Sequence, residues 1–516
     1  MLARVQSALL QGIDAQPCEV EVDFDEVGLD RQTIVGLPDA AVRESLERVR
    51  SALGNGGYAF PHGRVLINLA PADLRKEGPL YDLPIAVGLL LCQGLVPPAS
   101  SGLDHRRYVF AGELALDGRL RPVPGCIAMA ALAAERGFAG VVVPAENARE
   151  AAVVAGLEAT RDRDEPFEVL GVRTLSEVAC LLTGTMRPDP VPPIDVQGLL
   201  AQGESGLDFA EIKGQEPVKR AAVIAAAGSH NLLMLGPAGT GKTMIARALP
   251  GILPAMTPDE AIEVTRIYSA AGRLSSDDGL VRSRPVRTPH HTASSPAIVG
   301  GGAVPSPGEI SLAHHGILFL DELPEFQRGV LETLRQPTED HVVTISRASG
   351  SLNFPADFML VAALNPTPRG DLAPGESGRR EMDRYLSKIS GPLLDRIDLH
   401  IEAPRVPWTD LADAPRGTAS AEMRDRVAAA RERQRARQGR VLNARLSGST
   451  LDELAPLTDT ARLLLRQAMT ELGLSARAYD KVRRLSLTIA DLDGADAVDA
   501  PQVAEAIQYR LLDRRP

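Results

Sequence analysis

The stretch Gly236-Pro-Ala-Gly-Thr-Gly-Lys-Thr243 fits the pattern G-x-x-x-x-G-K-[ST], and its surroundings decide the fold class. Ahead of it, Asn231-Leu-Leu-Met-Leu235 reads as a buried strand; behind it, Met244-Ile-Ala-Arg-Ala-Leu249 reads as a helix. A strand, a tight loop and a helix N-terminus together make a phosphate cradle. Gly236, Gly239 and Gly241 let backbone N–H groups close round the phosphates, with Pro237, Ala238 and Thr240 completing the loop. Lys242 reaches the β/γ oxygens, and Thr243 offers its hydroxyl to Mg2+.

The second half of such a site is a buried strand ending in acid. Gly316-Ile-Leu-Phe-Leu-Asp321-Glu322 supplies it, with both carboxylates at the end where open α/β sheets bind ligands. Asp321 is expected to hold Mg2+ through water, and Glu322 to polarise the attacking water, which points to ATP hydrolysis rather than binding alone. A further apolar strand, Phe358-Met-Leu-Val-Ala-Ala-Leu364, ends at Asn365, a polar tip suited to positioning that water and sensing the γ-phosphate. Ser390-Gly-Pro-Leu-Leu-Asp-Arg396 then puts an arginine where a helix gives way to another strand. Leu474-Ser-Ala-Arg477 offers a second arginine at a helix start.

Composition sets the bounds. A chain of 516 residues, 44% hydrophobic, is long enough for two or three globular domains. No apolar run reaches the roughly 18 residues of a membrane span, and Leu83–Cys92 suits a core helix. The N-terminus lacks a signal-peptide layout, which predicts a cytoplasmic protein. Cys18, Cys92, Cys126 and Cys180 form no C-x-x-C pair and read as buried thiols. A net charge of −11 argues against a generally basic nucleic-acid binder, so any DNA contact must come from local basic loops, summed over a ring of subunits.

Punctuation divides the chain. The proline-rich Met186–Pro193 and the Gly203-Glu-Ser-Gly206 that follows read as a linker over 186–207, separating an N-terminal domain (1–185) from an ATPase core (208–410). Helical sequence fills 421–516, with helices expected over Ala421–Arg437, Thr458–Leu472, Ala476–Leu492 and Ala500–Leu512.

The order of phosphate loop, Asp-Glu, Asn, Arg and a helical segment with Arg resembles an AAA+ ATPase, in which one subunit's ATP sits against a neighbour. The resemblance implies an α/β core with a parallel sheet and a helical C-terminal lid, and a homo-oligomer, expected to be a hexamer. It makes Arg396 a finger acting in trans and Arg477 a lid sensor acting in cis. Asp208–Val218 looks like the adenine-side segment. Arg282-Ser-Arg284-Pro-Val-Arg287-Thr-Pro-His290-His291, Gly300–His314 and Gly391–His400 narrow the likeness to the magnesium-chelatase-like branch and its YifB/ComM group, as do Ile34–Glu44 and Asn68–Gly78. Some members carry cysteines after Asn365; this chain has Pro366-Thr-Pro-Arg-Gly370 there, so no structural metal is expected in that loop.

The insert is suggestive by itself. Arg282, Arg284 and Arg287 concentrate charge in a proline-bounded loop suited to phosphate backbones. The adjacent histidines lack a matching metal-ligand spacing. His341–Pro355 reads as a β-hairpin with Arg347 as a candidate strand-gripping residue if it points into a ring's pore, or as an ordinary surface hairpin. The arginine-rich helix from Arg424 to Arg440 fits a solvated face as well as a DNA surface.

Lys76–Leu90, and Phe110–Asn147 after it, resemble the catalytic domain of Lon protease, implying an α+β fold of the ribosomal S5 domain 2-like type. On that pattern the nucleophilic serine falls at Leu80 and its lysine near Ile127. Neither residue can do that chemistry, so an inactive domain is expected. Two functions stay open: a Mg2+-ATP-driven DNA motor (helicase or branch migration, as the ComM resemblance implies), or a chelatase- or chaperone-like ATPase acting on a protein. The low aromatic content, 3%, leaves few stacking platforms for single-stranded DNA and keeps the second reading open.

Overall fold

Alternating buried and exposed residues along β1 (Leu2–Gln11) and β2 (Asp14–Asp25) mark strands with one covered face, and they pair antiparallel. In the computed structural model they sit centrally in a seven-stranded mixed sheet. The other strands are β3 (Arg31–Val35), β4 (Arg64–Ala70), β5 (Tyr108–Phe110), β6 (Gly140–Pro144) and β7 (Glu168–Val172), and the order is β3-β4-β2-β1-β5-β6-β7. The structure describes residues 1–96, 102–159, 165–201, 206–275, 277–302, 305–347, 350–367, 376–407, 417–510 and 512.

The apolar run expected as a core helix is one: Asp82–Cys92 is buried along almost its whole length and packs on β1 and β2. Gly88 permits this approach, since a Cβ there would lie 2.4 Å from Val22 Cγ2. The acid that opens the helix, Asp82, is buried and accepts from Arg48 Nε at 2.7 Å and Nη2 at 3.0 Å. Cys18, Cys92 and Cys126 are buried thiols, and Cys180 is half-buried.

Contacts divide the chain into two units. One holds Met1–Gln202, Thr257–Arg282 and Gly302–Pro307; the other holds Gly203–Met256, Ser283–Gly301 and Gly308–Pro516. Thr257–Arg282 and Gly302–Pro307, inside the stretch 208–410 expected as the ATPase core, thus group with the first unit. The helix Pro258–Ala270, started by a Thr257/Glu260 capping box, packs within the first unit, where Ser269 Oγ donates to the buried Glu150 and accepts from Gly125 N. The expected linker also contains a short helix, Val196–Ala201.

In the second unit, β8 (Leu232–Leu235), β10 (Ile317–Leu320) and β13 (Met359–Leu364) are fully buried strands. Continuous apolar runs of this kind suit a parallel sheet covered on both faces. With β9 (Val286–Arg287) and β14 (Leu399–Glu402) they form a five-stranded sheet, parallel throughout, in the order β9-β10-β13-β8-β14. A separate antiparallel hairpin joins β11 (Val342–Arg347) to β12 (Gly350–Pro355).

The C-terminal region is helical as expected, over Ser420–Gln438, Asp459–Glu471, Ala476–Asp493 and Ala500–Gln508. The last helix stops earlier than its sequence pattern suggests, and Gly448–Leu454 adds a helix that the pattern does not announce. These helices share one apolar core with Glu216–Gly228 and the sheet, through residues such as Val427, Leu465, Val482 and Val503.

Candidate active site

Parallel register sets the tips of three strands side by side. Leu235 is level with Leu364, and Leu320 with Ala362, so the residues after β8, β10 and β13 meet at one carboxyl edge. The loop after β8 is held down by Gly236 N donating to Leu364 O at 3.1 Å. Gly236 lies so close to β14's end that a Cβ would stand 2.3 Å from Ala403 O. Gly241, which precedes the helix Lys242–Ala248, has φ +85, a conformation that glycine adopts without strain.

Four expected site residues are brought together here. Lys242 Nζ donates to Gly236 O and Pro237 O at 2.7 Å each and to Asn365 Oδ1 at 3.2 Å. Burial lowers the Lys242 pKa from its ordinary value, against the opposing pull of Asp321. Thr243 Oγ1 donates to Asp321 Oδ2 at 2.8 Å. A hydroxyl and a carboxylate so close are the hard oxygen donors that suit Mg2+, and the glycine loop at a helix N-terminus suits phosphate. Gln215 is buried and donates to Thr240 O at 3.1 Å and Pro404 O at 2.6 Å, tying the Asp208–Val218 segment to the loop 236–243.

Glu322 stands next to Asp321, in the left-handed region at φ +52, which is uncommon for a residue with a side chain. Its side chain is about half exposed, and His291 Nδ1 lies 3.4 Å from its carboxylate. The sequence shows the insert as a basic loop; it does not show that Val286–Arg287 is the sheet's edge strand, which delivers His291 to the carboxyl edge.

Arg396 and Arg477 lie elsewhere, together. Both line a cavity of about 490 Å³ with Asn231, Glu339, Asp395, Asp398, Arg445, Lys481 and Arg484. Asn231 directly precedes β8 and Asp398 directly precedes β14, so this cavity belongs to the amino edge of the sheet. A four-residue strand, about 13 Å, separates it from the phosphate loop. The geometry differs from the cis placement expected of Arg477: its helix, Ala476–Asp493, starts beside Arg396 and not beside the chain's own phosphate loop.

Each arginine has an acid. Arg396 Nη2 is 2.7 Å from Glu339, with Nη1 donating to Pro392 O at 2.7 Å and Nε to Arg335 O at 3.1 Å. Arg477 is 3.8 Å from Asp395 and mostly exposed. Below them Lys481 Nζ meets buried Asp398 at 3.2 Å. Burial works to raise the Asp398 pKa, but Lys481, His230 and the Asn231 N–H outweigh it and hold the carboxyl well below the usual range.

The arginines expected to grip nucleic acid are engaged by the chain itself. Arg287 forms a two-pronged pair with Glu309 at 2.6 and 2.9 Å. Arg284 donates to the carbonyls of Pro254 and His315 at 2.7 Å each, and Arg282 is 3.5 Å from Asp278. Arg347 ends β11; its side chain, the hairpin tip at 348–349 and residues 368–375 of the loop after Asn365 lie outside the described residues. In the first unit, Leu80 and Ile127 are both buried among apolar neighbours, at 4% and 0% exposure.

Comparison with known proteins gives the family. The family described as magnesium chelatase, subunit ChlI, matches residues 208–411; subunit ChlI of Mg-chelatase matches 20–147, and the ChlI C-terminal family matches 417–510. Competence protein ComM of Haemophilus influenzae is 43% identical over 521 residues, covering 99% of this chain and 98% of its own. YifB of Escherichia coli is 42% identical over 517 residues, covering 99% and 98%. The magnesium-chelatase 38 kDa subunit of Rhodobacter capsulatus is 29% identical over 213 residues, covering 38% of this chain and 55% of its own. With its parallel α/β core and helical C-terminal region, the chain belongs to the ComM/YifB-type magnesium-chelatase-like proteins of the AAA+ class.

Proposed function

We propose that this chain hydrolyses Mg2+-ATP in a ring of like subunits, and that the energy released remodels DNA, as a helicase or branch-migration motor. The observation that carries the shared site is the placement of Arg396 and Arg477 at the sheet edge opposite Lys242. Neither arginine can reach a nucleotide held by its own phosphate loop, so each acts on the nucleotide of the next subunit.

In this reading the backbone N–H groups of the glycine loop and Lys242 bind the triphosphate. Asn365, which now accepts from Lys242, orients the attacking water, and Glu322 takes its proton. Thr243 and Asp321 would hold Mg2+, whose charge offsets that on the β and γ oxygens. The neighbour's Arg396 and Arg477 exchange their acid partners for developing phosphoryl charge. An arginine supplied in this way is worth about 10³–10⁵ in rate. With leucine and isoleucine buried where a Lon-like dyad would stand, peptide hydrolysis forms no part of the proposal.

DNA as the substrate is supported by the likeness to a competence protein over nearly the whole chain, whereas the likeness to the chelatase subunit covers 38% of it. The second reading, a protein partner, is favoured by the internal engagement of Arg282, Arg284 and Arg287. ATP turnover measured with and without single-stranded and forked DNA separates the two. Stimulation by DNA is expected; turnover indifferent to DNA at low salt contradicts the motor.

A further inference from the structure

The carboxylate of Glu322 extends from a left-handed backbone position and is about half exposed. Among the described residues, the side-chain nitrogen within ion-pair range of it is Nδ1 of His291, at 3.4 Å. The imidazole is itself held. It meets the Phe326 ring edge-on, with centroids 6.4 Å apart, and stacks at 4.1 Å on His290, whose Nδ1 bonds Thr292 Oγ1 at 2.8 Å. The nearby Glu325 is engaged by Lys388 at 3.2 Å and by Tyr385, so of the two carboxylates close to His291, Glu322 is the one at 3.4 Å.

The route by which His291 arrives is equally specific. Val286 and Arg287 pair in register with Ile317 and Leu318, and Arg287 is clamped to Glu309. The strand ahead of the histidines is thus fixed to the strand that carries Asp321 and Glu322. A pinned imidazole beside a loosely held carboxylate narrows the carboxylate's range, and proton abstraction depends steeply on that alignment.

We infer that His291 is a positioning residue for hydrolysis: it holds the Glu322 carboxylate in its working orientation and thereby makes turnover depend on the insert loop. The inference rests on Glu322 being the base proposed above. It gives the insert a role at the phosphate edge.

The test compares full-length protein carrying His291→Phe, His291→Asn, Glu322→Gln, or His291→Phe with Glu322→Gln. Readouts are kcat, KM and the affinity for a fluorescent ATP analogue. His291→Phe is expected to lower kcat about ten- to a hundredfold, with analogue affinity within about twofold of the parent. His291→Asn, which keeps a polar nitrogen, should recover part of the loss. In the Glu322→Gln background His291→Phe should cost nothing further. Parent protein without ATPase activity, or a fully active Glu322→Gln, would overturn the underlying reading. An inactive Glu322→Gln beside a fully active His291→Phe would overturn this inference alone, as would equal losses in kcat and analogue affinity.

Discussion

The guanidinium of Arg477 stands 3.8 Å from the carboxylate of Asp395, the residue before Arg396. The contact thus joins the first turn of the helix Ala476–Asp493 to the residue that caps the Gly391–Leu394 helix, next to Arg396. It places both arginines on one edge of the sheet and Lys242 on the other. Under the proposal that the two arginines serve the same neighbouring site, Arg477→Ala should lower turnover by roughly tenfold or more while the subunit's own nucleotide affinity stays unchanged. Binding of an ATP analogue to isolated subunits and steady-state turnover of the assembly check this; loss of binding by isolated subunits would return Arg477 to a cis role.

Glu322→Gln keeps the shape of the side chain and removes its basicity. Nucleotide should bind as in the parent and hydrolysis should fall by about a hundredfold or more. Single-turnover measurements with labelled ATP give the direct reading, and normal hydrolysis would remove Glu322 from its role.

Lys242 now bonds two loop carbonyls and Asn365, so it must leave the carbonyls when phosphate enters. Lys242→Ala should therefore abolish triphosphate binding, and by releasing the buried Gly236 carbonyl it should also cost some stability. Calorimetric titration of ATP together with thermal unfolding of the apo protein separates the two effects.

Asp398 is buried between Lys481 and the Asn231 N–H, with His230 beyond, and its pKa is held below the ordinary carboxylate value of about 3.9. A depressed carboxyl contributes stability that is full above the unfolded pKa and is lost as pH falls through the folded one. The parent should therefore lose stability as pH drops below about 4, and Asp398→Asn should lack that component of the slope. At neutral pH the substitution removes the Asp398 charge from beside buried Lys481, which keeps its bond to Ile397 O, and loss of a buried charge partner costs about 3–5 kcal/mol. Denaturant unfolding across pH tests both statements.

Much of the carboxyl edge was legible because each of its strands is a short apolar run ending in a polar residue or a glycine: Leu235 before the glycine loop, Leu320 before Asp321, Leu364 before Asn365. Those patterns are local. What they could not reveal depends on sheet order. The edge strand Val286–Arg287 is two residues long and has no apolar run to betray it, so His291 read as part of a basic loop. Likewise Arg477 could be seen at a helix start, with its Ser475 cap, but not on which edge of the sheet that helix begins. The helix Pro258–Ala270 carries an ordinary amphipathic pattern, and only its contacts assign it to the first unit. The buried Leu80 and Ile127 were readable as the wrong residues for a dyad, and the structure adds that both are core.

The central claim, that a nucleotide held by one subunit is hydrolysed with arginines from the next, is tested most directly by mixing two inactive variants. Arg396→Ala subunits keep an intact phosphate loop, and Lys242→Ala subunits keep an intact arginine edge. Equal mixtures should regain a measurable fraction of parent ATPase activity, because some interfaces pair a whole phosphate loop with a whole arginine edge. Mixtures that stay as inactive as either variant, under conditions where the two demonstrably co-assemble, would contradict the shared site.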